Sequence, residues 1–182
     1  MDVGKEWSVA LGSVRQGEVP GFVGVLAGHV RSRLVAMELF GQVEAGAGVV
    51  ALVATAKQAA APAEYRLEWD VGKQAVYVSL VMADRWLSES IESHLVEHGD
   101  KMEELLEDEL VEVGYFDLGG PPIEHVEHFR SDDKLFTFRA KVPLGEHLDD
   151  AEATDLTVRL LLGFEACFRQ LGDMESGAEG AE

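Results

Sequence analysis

His94-Leu95-Val96-Glu97-His98 is the stretch whose residue types and spacing bear most directly on chemistry. Histidines four apart on a helix present two imidazole nitrogens to one face, and the glutamate between them can act as base toward a zinc-bound water. The stretch therefore sets up one reading of the chain, a metal-dependent hydrolase built on His94, Glu97 and His98. Such a centre needs a further carboxylate ligand, and Glu165 and Glu175 are the downstream candidates. Two features of the sequence weigh against it. Gly99 follows at once, where the motif needs its helix to continue, and a helical wheel puts His98 in one stripe with Ile91, Leu95 and Met102, a core position.

The other candidate constellations are weaker. Glu124-His125-Val126-Glu127-His128 falls on a predicted strand, where His125 and His128 point to opposite faces and cannot chelate one ion together. They read instead as solvent-facing residues of a hairpin. His29 and His147 have no recognisable partners in sequence. Gly46-Ala47-Gly48-Val49-Val50-Ala51 fits G-x-G-x-x-A, with Asp70 some way on, as a dinucleotide site requires. The residues before it are not a buried parallel strand and hairpins follow it, so it reads as a glycine-rich turn. The single cysteine, Cys167, rules out an internal disulfide and lies in an apolar helical stripe, the setting of a small buried hydrophobe. The expectation is no catalytic residue, no cofactor and no metal, with His94, Glu97 and His98 as the metal candidates.

The chain has 182 residues, 47% of them hydrophobic, enough for one domain with its own core. Its formal charge is −19, from 34 acids against 15 lysines and arginines. That charge opposes nucleic acid and anionic membranes and favours, if anything, a basic partner. Residues 84–113 alone hold eleven acids against Arg85 and Lys101. This stretch is a candidate docking or dimerisation helix, or simply a solvated face. The first residues have neither the basic start nor the apolar core of a signal peptide, so the expected location is cytoplasmic.

The elements that must position these residues follow from periodicity. A short strand is expected at 6–14 and a helix at 19–40, with Phe22, Leu26, Val30, Leu34, Met37 and Phe40 on one face. Residues 41–48 read as loop, and 49–56 as a buried strand or a helical turn. Tyr65, Leu67 and Trp69 alternate with charged residues. Val76, Val78, Leu80 and Met82 answer them across the turn Asp70-Val71-Gly72-Lys73, which makes a hairpin. A long helical pattern covers 84–113, interrupted near Gly99-Asp100, where Asp100 and Glu103 resemble a capping box. A second hairpin spans 125–130 and 135–142. The last helix is capped by Asp149 or Asp150 and buries Leu156, Leu160, Phe164, Cys167 and Phe168. Residues 1–172 form the expected domain, and 173–182 an acidic, disordered tail.

The fold class read from this is α+β: an antiparallel sheet of five to six strands with three helices on one side, in the order β-α-βββ-α-ββ-α. That order, with Phe129-Arg130-Ser131-Asp132-Asp133-Lys134-Leu135-Phe136-Thr137-Phe138-Arg139-Ala140-Lys141-Val142-Pro143-Leu144, then an acidic cap and an amphipathic helix, resembles the bacterial type III secretion chaperone-like family, including YbjN-type proteins. The resemblance implies a non-enzymatic protein that binds other polypeptides against its sheet and helix surfaces, often as a homodimer. No catalytic residue is implied. The leading expectation is a protein-binding, chaperone-like domain. The alternatives are the metal-dependent hydrolase and a structural subunit of a larger assembly.

Overall fold

The structure is a computed structural model and describes residues 17–145 and 149–175. The strand expected at 6–14, together with His147 and residues 176–182, lies outside them. The first described helix, α1, is Gly21–Met37, preceded by Pro20, whose carbonyl accepts the first amide bonds from Val23 and Gly24. Its buried face is Val23, Leu26, Ala27, Val30 and Leu34. That face shares Leu26, Val30 and Leu34 with the expected stripe, whereas Phe22 is half-buried and Met37 exposed. Gly21, Gly24 and Gly28 point to open space. Their cost in helix propensity, about 1 kcal/mol each, is offset by the buried face.

Six strands follow: β1 Val43–Ala45, β2 Val50–Thr55, β3 Ala63–Asp70, β4 Ala75–Met82, β5 Glu127–Arg130 and β6 Phe136–Lys141. They form one antiparallel sheet in the order β1-β2-β3-β4-β6-β5. The loop expected at 41–48 thus contains a strand. β1 is only three residues long, too short to show a pattern, and takes its register from the Gly46–Gly48 turn that folds it onto β2. Residue by residue β3 alternates as expected, whereas β4, at the centre, is buried throughout.

The helices lie on one side of this sheet. Trp69 meets Phe22 of α1, and Phe138 meets Phe168 of the last helix, both on the face that also carries Tyr65, Leu67, Val78 and Leu80. The opposite face sets ion pairs around Tyr77, Val81 and Phe129. Arg139 reaches Asp70 at 2.9 Å and Glu127 at 2.8 Å, with its guanidinium 4.1 Å from the centre of the Tyr77 ring. Lys73 also pairs with Glu127, and Arg66 pairs with Glu64 at 2.7 Å. The apolar sheet face is therefore covered by the chain's own helices, and a partner reaching the sheet from outside meets ion pairs.

The long pattern at 84–113 is two helices, α2 Arg85–His98 and α3 Met102–Glu112, so there are four α-helices among the described residues, not three. Gly99 takes a left-handed φ of 69°, and the amide of Asp100 returns to the Leu95 carbonyl at 3.0 Å, a closing turn that glycine permits. The capping box expected at Asp100 is absent. Lys101 stands at the cap of α3 without a side-chain bond, and Glu103 accepts from the Val126 amide at 2.8 Å instead. The final helix, α4 Asp150–Arg169, carries the full capping box of Asp149 with Glu152. α3 packs against it where Gly163 faces Leu110, and a Cβ at Gly163 would collide with that leucine. Met174, in the short 3-10 turn Gly172–Met174, is buried, and the Asp173 carbonyl accepts from the Ala60 amide at 3.0 Å. Asp173 and Met174 thus pack onto the rest of the chain. Among the described residues no helix is long and apolar enough to cross a membrane.

Candidate functional site

The His94, Glu97 and His98 motif sits on the last turn of α2. His98 is exposed, not in the core, because the helix ends at His98 and Met102, the next member of its expected stripe, belongs to α3. The His98 Nδ1 lies 2.8 Å from the His94 carbonyl, and the two rings stack with centroids 4.3 Å apart. Nδ1 is thereby engaged with a backbone carbonyl, which leaves Nε2 of His98 as the nitrogen open to a ligand. Glu165 lies on α4 and is buried beside Tyr65, and Glu175 follows the 3-10 turn. Among the described residues no group of three or more His, Cys, Asp or Glu side chains comes together to hold a metal. The helix thus supplies two imidazoles, and among the described residues no carboxylate is brought up to complete a centre with them.

The second histidine pair divides. His125 is exposed and lies 3.2 Å from Glu103. His128 faces the helices, against expectation: its ring stacks on Phe138 at 3.9 Å, because its strand partner is Phe138 on the covered face. Ser88, fully buried, and Glu92 approach it at 3.4 and 3.5 Å. Serine, histidine and glutamate in contact invite a comparison with a nucleophile relay. A relay, however, uses both ring nitrogens, serine at one and acid at the other. Here serine and acid crowd the same Nε2. Burial, more than the nearby Glu92 charge opposes it, pulls the His128 pKa below its ordinary value and favours the neutral ring.

The glycine-rich segment is the β1–β2 turn, and Asp70 is committed to the Lys73 amide and to Arg139, with its carboxyl held below the ordinary range by those partners against the opposing effect of burial. Burial pushes the Cys167 thiol up to about 12, the state of an unreactive core cysteine.

No family model, curated protein or solved structure matches the chain.

What periodicity did not reveal is a groove at the start of α4. Phe22, Val25 and Leu26 of α1 form one wall, Trp69 and Val76 the floor, and Val142 with Leu144 the other wall. It encloses about 220 Å³, and His29, Gln74, Lys141 and Asp150 stand at its rim. Phe22 packs edge-on to Trp69 at 5.9 Å. Val25 is 52% exposed, a large apolar side chain left at the mouth. The signal for this groove was weak but present: Val25 falls outside the α1 stripe, and Val142-Pro143-Leu144 continues apolar beyond its strand.

Proposed function

We propose that the chain is a non-catalytic, protein-binding domain of chaperone-like type, holding a segment of another polypeptide by an apolar side chain seated in the groove beside α1. The observation that carries this reading is the groove itself. Its volume lies below the range of about 300–1,000 Å³ typical of sites for drug-sized ligands, and it suits a single anchoring side chain. Interfaces draw most of their affinity from a few large side chains fitted into such recesses. The net charge of −19 favours a segment with lysine or arginine flanking its apolar anchor. The likeness of residues 129–172 to the type III secretion chaperone-like family supports the same class of function and a cytoplasmic location.

Selection from a displayed library of random peptides on the purified chain tests the reading. Enriched peptides are expected to share one large apolar residue with basic neighbours, to lose binding on Val25→Asp, and to bind more weakly as salt rises. Peptides that bind the Val25→Asp chain as well as the parent would sink the groove as the site.

A further inference from the structure

The other end of α4 holds a second recess, of about 240 Å³, walled by Leu39, Tyr65 and Met174. Glu165 lies in it and is only 9% exposed. Its Oε1 is 3.2 Å from Arg169 Nε, while Oε2 is buried without a hydrogen-bond partner among the described residues. A buried carboxylate oxygen left unmatched is costly, and folded proteins rarely keep one without a use. Its neighbours in the sequence on the buried side, Phe164 and Phe168, are apolar. Packing alone therefore gives no reason for an acid here.

The charges around this oxygen indicate what it would accept. Glu109 and Glu175 both act on the Glu165 carboxylate, against Arg169. Lys57, at the mouth, donates to the Glu38 carbonyl at 3.0 Å. Burial, ahead of any neighbouring charge, pushes the Glu165 carboxyl above its ordinary range, as expected for an acid withdrawn from water. A fitting ligand brings an N–H donor, a positive charge and a stem that lies against apolar walls.

We propose that this recess binds a primary ammonium on an apolar stem, with the Glu165 carboxylate accepting its hydrogen bond while the stem lies against Tyr65, Leu39 and Met174. Free alkylamines and lysine side chains share that chemistry. The site is separate from the groove beside α1, and its test needs no polypeptide partner.

The purified full chain is titrated with n-pentylamine hydrochloride while the Met174 methyl signal is followed by NMR. In parallel, n-pentanol serves as the neutral isostere and Nα-acetyl-lysine amide as the peptide form. The amine is expected to shift the methyl saturably, and Glu165→Gln, close to isosteric, to weaken binding by about tenfold or more, the worth of a charge-assisted hydrogen bond. Arg169→Gln, at a half-exposed position, frees Oε1 and is expected to tighten binding. Lysine amide binding as well as the amine assigns the site to a polypeptide lysine, and amine binding alone assigns it to a free amine; either outcome upholds the proposal. Equal binding of pentanol and amine, an undiminished affinity in Glu165→Gln, or no saturable shift would overturn it, the last leaving a recess that holds only water.

Discussion

The two ends of α4 solve opposite problems. At the Asp150 end the polar groups are matched, since Asp149 and Glu152 close a capping box, and what stays open beside them is apolar. At the Arg169 end the apolar groups are packed, and what stays unmatched is one carboxylate oxygen of Glu165. An apolar recess costs the fold little, because scattered apolar surface is normal on any protein. A buried carboxylate with one oxygen unmatched costs a good deal, and protonation or a bound cation recovers part of that cost. The first end is therefore expected to tolerate changes at its mouth, and the second to gain stability when its acid is removed.

The largest effect should come from the floor of the groove. Trp69 is buried at the end of β3 and packs on Phe22, so Trp69→Ala should cost about 3–5 kcal/mol in urea unfolding. That would show the groove to be made by the core, with its floor shared between packing and recognition. A cost under about 1 kcal/mol would mean the floor is loosely packed, and the contrast between the two ends would fade.

Glu165→Gln is expected to move stability the other way, raising it at neutral pH, because the amide fills the same space with no charge to desolvate. A loss of stability would show that the Arg169 pair outweighs the burial of the acid. The pH dependence sharpens the point. Burial raises the folded pKa of Glu165 above its ordinary 4.5, so its contribution is fully present below 4.5 and is lost as pH rises through the folded value. Burial lowers the folded pKa of His128 below 6.5, so its contribution is present above 6.5 and is lost as pH falls through the folded value. On acidification the two oppose each other. Glu165→Gln should therefore lose stability more steeply than the parent between neutral pH and the carboxylate range, and His128→Phe less steeply, in thermal melts across that window.

The middle of α4 separates the two ends and gives a smaller effect. Gly163→Ala would ordinarily favour the helix by about 1 kcal/mol. Here the added methyl meets Leu110 of α3, and overpacking of that kind costs about 1–3 kcal/mol. A net loss of about 1 kcal/mol in urea unfolding is expected. A gain would show that α3 shifts easily on α4.

The sheet was legible because its strands carry strong two-residue alternation, as in Tyr65, Leu67 and Trp69, and α4 because its cap and stripe agree. β1 was not, since three residues hold no period. The break at Gly99 was visible, but its consequence for His98 was not: a wheel assumes one helix axis, and the axis ends there. Glu103 showed the same limit. Its spacing from Asp100 matched a cap, but the competing donor, the Val126 amide, comes from a segment distant in the chain. Both recesses belong to this class. Phe22, Trp69 and Val142 are far apart in sequence, as are Tyr65 and Glu165, and only the packing of α1 and α4 on the sheet brings each set together. Glu165 entered the sequence reading only as a distant ligand for His94 and His98, and its burial, the property that matters, leaves no mark on local pattern.

The smallest expected change in stability belongs to Val25, and it separates recognition from folding most cleanly. Val25 is half exposed at the mouth of the groove, outside the buried face of α1. Val25→Asp should shift unfolding by no more than about 0.5 kcal/mol, as surface substitutions do. The same change places a charge where an apolar anchor would enter, and a desolvated carboxylate there should abolish binding of the selected peptides. The ammonium site at the Arg169 end, a helix length away, should keep its affinity for n-pentylamine in this variant. If one substitution removed both activities, the two recesses would be coupled through α4, and a single site spread along the helix would replace the contrast between its ends.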